Sequence, residues 1–438
     1  MTIEAGRVEM PRTGEPGARS GRSPLSGLGV DIRLLGMVIA LVVLWVTFNF
    51  LSDGRFLTPR FLWNLSVQSA AVAVMTTGMV LIIVSRNIDL SIGSILGFTA
   101  MVMGLLQVEW IPNVLGIGLN EPGTWIIVVI VGVALGALIG GLQGFVVAFV
   151  GVPSFVVTLG GLLIWRGAAF ALASGRTIAP LDPTFQLLGG GPRGSLGETL
   201  SWVVAGLVIV GIAIGLVANR RRRRRYGFPV RPMWADVTIG VLGSVLVAAA
   251  VWTANAYPWP PALAEDYAIE NGITIPPGGL IIPTGIANPV LIAIGIALLM
   301  AFVASRRRFG RYVYAIGGNP EAAVLAGINT RSTIMKTFIV MGALAAVAAV
   351  IVTARLNAAT SALGTGIELQ VIAAAVIGGT SFAGGIGTIT GGVLGAVIIQ
   401  SLSSGMTLIG IPNSGQDIVA GLVLIVAVGF DAWLRRRR

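Results

Sequence analysis

Ala315 to Thr330 reads AIGGNPEAAVLAGINT and lies between two apolar segments, Asn288 to Ala304 and Ile334 to Thr353. A helix needs about 20 apolar residues to cross a hydrocarbon core, and both flanks come close to that length. A short polar knuckle pinned between two such flanks is the loop of a polytopic α-helical membrane protein. Within the knuckle, Gly317-Gly318-Asn319-Pro320 supplies turn chemistry, with Asn319 as N-cap and Pro320 at the first helical position. Glu321 sits in the first turn, where a carboxylate suits the positive end of the helix dipole. Ala322, Ala323, Leu325 and Ala326 favour helix, and Gly327 followed by Ile328-Asn329 stops it. A ridge of alanines would let a partner surface come close. The basic run Arg306 to Arg308 with Arg311 precedes the knuckle and assigns it to the arginine-rich, cytoplasmic side. Read without further context, the same stretch is an ordinary connecting loop.

Composition agrees with the flanks. Mean hydropathy is +0.90, with 55% hydrophobic and 11% charged residues, which excludes a soluble domain of 438 residues. The 61 glycines suit close helix packing in lipid. The absence of Cys rules out disulfides and thiolate chemistry, and the absence of His rules out imidazole bases and ligands. The net charge of +11 is mostly arginine at segment ends, which points to membrane topology and anionic lipid, not nucleic acid.

Along the chain, residues 1–30 read as a disordered cytoplasmic tail rich in Gly, Pro, Ser and Arg. Residues 31–438 read as one transmembrane domain. Spans are expected over Leu34–Leu51, Val67–Val84, from Ile88 to about Leu106, Trp125–Val150, Ser154–Leu172, Thr199–Ala218, Ala235–Asn255, Asn288–Ala304, Ile334–Thr353, Ile367–Gly378, Thr388–Leu408 and Asp417–Leu434. That gives about twelve, with both termini cytoplasmic. Phe56, Phe61 and Trp63 suit a headgroup belt. Residues 306–333 form the cytoplasmic loop, and 257–287, acidic, proline-rich and free of Lys and Arg, an external one. Residues 366–410 hold short Gly-broken helices that either cross fully or re-enter. Ile88-Asp89-Leu90 and Ile367-Glu368-Leu369 each open a small-residue helix with an acid in its first turn, as an inverted repeat would require.

The letters of the knuckle carry a resemblance. Glu321, Ala322, Ala323 and Gly327 resemble the coupling motif of ATP-binding-cassette import permeases, in which such a helix seats in a groove of the ATPase subunit. GGN before it and GIN after it are similar to the monosaccharide branch, and further stretches agree. IDLSIGS (Ile88 to Ser94) resembles that family's GIDLSVGS, VPSFVVTLGGLLIWRG (Val152 to Gly167) its P-x-F-I-x-T-L…RG segment, and IELQVIAAAVIGGTSFAGGIGT (Ile367 to Thr388) its ELdaIAAvvIGGtsLsGG. Two features depart from the usual pattern. Arg86-Asn87 stands where small residues or Gly are usual, and an extra pair of spans surrounds Arg220 to Arg225, as in the xylose-type permeases.

The resemblance implies a permease that forms a homodimer in the bacterial inner membrane. A separate ATPase would grip Gly318, Asn319, Pro320, Glu321, Ala322, Ala323 and Gly327, and a periplasmic sugar-binding protein would deliver cargo. It implies no cofactor and no catalytic residue. The sequence agrees on energy supply. The single lysine, Lys336, precedes Thr337, but Met335 and Thr330 occupy the glycine positions of a phosphate-binding loop. A neutral pentose, xylose first, is the expected cargo, against another sugar, a nucleoside or a furanone signal; a secondary transporter is the other class. Asn87, Ser91, Asn357, Gln370, Thr380 and Ser381 offer groups suited to a polyol, or else glue between helices. Asp89 and Glu368 read as helix N-terminal acids or as sugar contacts. Arg166, inside an apolar span, either serves function with one of these acids as partner or snorkels.

Overall fold

The computed structural model describes residues 32–118 and 121–436; the tail over 1–30 lies outside the described residues. The described chain is helical. Among the described residues ten helices are long and apolar enough to cross a membrane, and Ile367–Ile377 and Asn413–Val426 are shorter apolar helices. Each of the twelve expected segments therefore appears, two of them short.

In chain order the elements are α1 (Ile32–Leu51), α2 (Pro59–Val84), α3 (Ile92–Leu105, continued through a π turn to Leu115), α4 (Thr124–Phe145) and α5 (Ser154–Ala173). There follow α6 (Gly197–Arg225), α7 (Met233–Asn255), α8 (Asn288–Arg306), α9 (Arg308–Gly318), α10 (Pro320–Leu325) and α11 (Thr330–Leu356). Last come α12 (Ile367–Ile377), α13 (Ile389–Leu408) and α14 (Asn413–Arg436).

The central helix is α2, almost wholly buried from Val67 to Val84. Its neighbours α11, α12 and α13 reach it through small residues. A Cβ on Gly78 would meet Met341 of α11, and one on Gly392 of α13 would meet Val80. Glycines at four-residue spacing on α4, namely Gly136, Gly140 and Gly144, lie against the backbone of α11 at Gly342, Phe338 and Met335. Removing the side chain at each contact lets the axes approach, which dispersion in lipid rewards because no hydrophobic drive operates between helices there. Helices α6 and α7 stay at the periphery, mostly exposed, and are joined by an Arg220–Asp236 ion pair of 2.6 Å.

One expectation is corrected here. Phe56 and Trp63 are not a headgroup belt: both are buried. Phe56 stacks on Phe48 at 5.7 Å, and the Trp63 indole donates to the Gly285 carbonyl. Residues 257–287 are not irregular throughout. They contain the helix Pro261–Glu270, whose last residue pairs with Arg193 at 3.0 Å.

The segment around 366 also takes a definite form. After α11 the chain runs back along α3 without helix. Ala359 packs at Gly104, Leu363 at Gly97, and Gly364 and Glu368 at Gly93. Helix α12 starts only there and ends in the Gly378–Gly387 loop, where the Gly385 amide donates to the Val84 carbonyl at 2.9 Å. The chain thus passes back along the bundle half as turns and half as helix, antiparallel to α3. Non-helical backbone at such a depth is tolerated when protein covers it, as α3 does.

Candidate functional site: the knuckle and the polar crossing

At one end of the bundle, α9 and α10 form a paired knuckle. The basic run Arg306 to Arg311 spans the end of α8 and the start of α9, which begins at Arg308. Val313, Ile316 and Gly317 face inward on α9, while Arg311, Tyr312 and Ala315 face outward. Its amphipathic pattern lays it across the bundle end. At Asn319 the chain turns extended. The Asn319 side chain accepts a hydrogen bond from the Ala322 amide at 3.0 Å, and Pro320 opens α10. Gly327, at φ +76°, closes it.

The outer face of α10 differs from the expected ridge of alanines. Ala323 is buried against the bundle, so it packs inward, while Ala322, Val324, Leu325, Ala326, Glu321 and Gly327 are exposed. Leu325 is the extreme, with 88% of its surface free. With Val324, 57% exposed, it gives the tip of α10 a bare apolar face.

Arg86 anchors the knuckle, a role that sequence reasoning missed although it marked the residue as a departure. It follows the end of α2 in left-handed backbone, φ +64°, a conformation that costs an L-residue roughly 1–2 kcal/mol. Its Nε donates to the Gly317 carbonyl at 2.7 Å and its guanidinium to the Gly318 carbonyl at 3.0 Å. These are the last carbonyls of α9, which have no partner inside their own helix and carry the negative end of its dipole. Gly317 itself backs onto the Val84 carbonyl, and Gly384 onto the Arg86 stem, so neither position has room for a Cβ. Tyr314 adds a bond from its hydroxyl to the Gly387 carbonyl at 2.9 Å. Arg86, Gly318, Asn319, Pro320 and Glu321 line an open recess of about 350 Å³.

Deeper, at the start of α3, polar side chains converge. The Asp89 carboxylate accepts from the Ser91 amide at 2.9 Å and lies 2.6 Å from the Ser91 hydroxyl, which is also 2.8 Å from Gln143 Oε1 of α4. Asp89 lies in the connection between α2 and α3, and burial pushes its carboxyl up to about 6, against the two Ser91 bonds that hold it down. Glu368, in the first turn of α12, lies against Gly93 and feels the charge of Arg166 on α5. Among the described residues neither acid forms an ion pair with Arg166.

Five buried atoms around this crossing and the neighbouring loop have no hydrogen-bond partner: Gln143 Nε2, Arg166 Nη2, Glu368 Oε2, Thr380 Oγ1 and Ser381 Oγ. Each such atom costs about 1–3 kcal/mol unless something satisfies it. They are donors and acceptors of the sort a neutral polyhydroxyl molecule or water would engage. Thr380 packs near Val84 and Gly387, toward the knuckle end, while Glu368 and Arg166 lie beside α3.

The remaining candidates fall elsewhere. Asn87 is buried, but its amide is used locally, on the Ser85 carbonyl and hydroxyl at 3.0 and 3.1 Å. Asn357 is at the opposite end of α3 from Asp89. It caps α11 in left-handed backbone, and its side-chain Oδ1 accepts from the Leu181 amide at 2.8 Å, pinning the 174–198 loop. Gln370 is half-buried on α12. Gln143 was not singled out from the sequence, because GGLQG within an apolar helix reads only as packing.

Comparison with known proteins bears on the same residues. The sequence pattern of the family described as branched-chain amino acid transport system / permease component matches residues 61–428. The xylose transport system permease protein of Haemophilus influenzae is 35% identical over 402 residues, covering 92% of this chain and 96% of the relative. The xylose transport system permease protein of Escherichia coli K12 is 34% identical, covering 94% and 95%. The ribose import permease protein of E. coli K12 is 30% identical, covering 90% and 92%. No solved structure matches the chain.

Proposed function

We propose a transport role on one premise: the chain belongs to the branched-chain amino acid transport system permease family. Members are permease components, not enzymes. This chain is the membrane subunit of an ATP-driven sugar importer. Its cargo is a pentose, xylose first, because relatives named for xylose transport match over nearly their whole length at higher identity than the ribose and allose permeases.

The single observation that carries the reading is the knuckle. Its tip, Leu325 with Val324, is bare, and its base is bonded through Arg86 to the end of the central helix. A surface like that receives force from a partner. The partner is an ATPase subunit seated on α10 by way of Glu321, Ala322 and Gly327, with Asn319 and Pro320 setting the angle of the helix. Gly318 and Ala323 serve from beneath, as a tethered carbonyl and a packed methyl. Residues 306–333 are then cytoplasmic, as are both termini, and 257–287 face the periplasm, where a sugar-binding protein docks. Two copies form the pathway, their exposed α6–α7 faces in inner-membrane lipid. The buried polar groups of the crossing, Ser91, Gln143, Arg166 and Glu368, and those of the neighbouring loop, Thr380 and Ser381, offer the sugar transient hydrogen bonds.

Co-expression tests the reading. A candidate xylose ATPase subunit co-purifies with the wild-type chain in detergent and is lost from L325E. Equal recovery with both would remove the coupling assignment.

A further inference from the structure

We infer that Arg86 is the positioning residue that carries motion of the knuckle into the polar crossing; the inference rests on the transport reading above and adds a part to it. The geometry makes it a joint between two units. On one side its guanidinium holds the Gly317 and Gly318 carbonyls, at 2.7 and 3.0 Å, immediately before the Asn319 cap that starts α10. On the other side its backbone is the turn that leads to Asp89. The Arg86 and Asn87 amides bond back to the carbonyls of Ile83 and Ile82, at 2.9 and 3.0 Å, which closes α2. The Ile88 amide donates to Ser154 of α5 at 3.2 Å. Asp89 then reaches Ser91, and Ser91 reaches Gln143.

A displacement of α10 pulls on the α9 carbonyls and so on one side chain. The backbone of that side chain sets the register of the acid, the hydroxyl and the α5 contact. Backbone geometry at this position favours glycine, since φ is +64° and no Cβ is needed to close α2. Arginine occupies it despite that preference, and the two bonds to α9 are what the side chain adds. Lysine would offer one point charge in place of a planar fork and could not hold both carbonyls in fixed geometry.

The test uses R86G, which removes the fork while relieving the backbone, so that loss of folding is not the expected result, together with R86K. In nanodiscs holding the permease alone, amide hydrogen exchange over residues 315–327 is expected to rise about tenfold in R86G, with the centre of α2 unchanged. In proteoliposomes holding the permease, its ATPase and a xylose-binding protein, R86G is expected to keep ATPase association and hydrolysis. Labelled D-xylose taken up per ATP should fall about tenfold. R86K lies between R86G and wild type. Unchanged exchange over 315–327, unchanged uptake per ATP, or loss of the ATPase from R86G would each overturn the inference. Should wild-type complexes fail to take up xylose, the pentose reading falls, while the exchange measurement still decides the clamp.

Discussion

Gly136 of α4 and Gly342 of α11 back directly onto each other, so that a Cβ on either would run into the carbonyl oxygen of the other. The close approach leaves no room for a side chain at either position, and it holds α4, with Gln143 two turns further along, against α11.

Gly342→Leu is therefore expected to force the axes apart and to cost about 1–3 kcal/mol, as overpacking of a filled interior does. A thermal unfolding scan in detergent should show a lowered midpoint. Gly160→Leu serves as control, because a Cβ there meets nothing within 4 Å.

Arg166 and Glu368 are expected to depend on each other. Each carries a buried polar atom without a hydrogen-bond partner, so if they interact, the pair removed together should cost less than the sum of R166A and E368A. A double-mutant cycle on unfolding should give an interaction of about 0.5–3 kcal/mol. Strict additivity would mean that the two act separately.

Asp89 predicts a pH dependence of fixed sign. Its carboxyl is raised by burial to about 6 from an ordinary value near 4, so between those values the folded protein holds a proton that the unfolded chain has released. Stability from this group is present at the acid end of the window and is lost as pH rises through 6. D89N, which keeps an oxygen for Ser91, should flatten the melting temperature between pH 4.5 and about 7 relative to wild type. A wild type that melts higher with rising pH over that range, by an increment absent from D89N, would reverse the assignment.

Leu325→Glu is expected to weaken ATPase association at least tenfold without altering the melting temperature, since the side chain touches almost nothing in its own subunit. Glu321→Lys with Gly327→Trp is a blunter test. Gly327 stands at φ +76°, so tryptophan there strains the backbone and mixes local unfolding with lost contact.

Most of the fold was legible in the sequence because membrane helices announce themselves through uninterrupted apolar length and arginine at their ends. Ser154 and Leu356, for example, lie within a few residues of the expected borders. The cap at Asn319 was legible too, since Asn-Pro followed by Glu is local chemistry. Other features depend on contacts between distant segments. The half-helical crossing over 358–377 depends on the glycines of α3, 250 and more residues earlier, to cover its bare backbone. Asn357 read as a polar candidate, and only its bond to Leu181 reveals a structural cap. Arg86 looked like an anomaly until the free carbonyls of α9 supplied its partner. A residue that acts across the fold leaves no periodic signal along the chain.

ATP-dependent uptake in proteoliposomes reaches the central claim most directly. Vesicles holding this chain with its ATPase and binding protein are predicted to accumulate D-xylose only when ATP is supplied, and to lose that accumulation with L325E. Accumulation against a gradient by vesicles that hold this chain alone, without any ATPase, would contradict it.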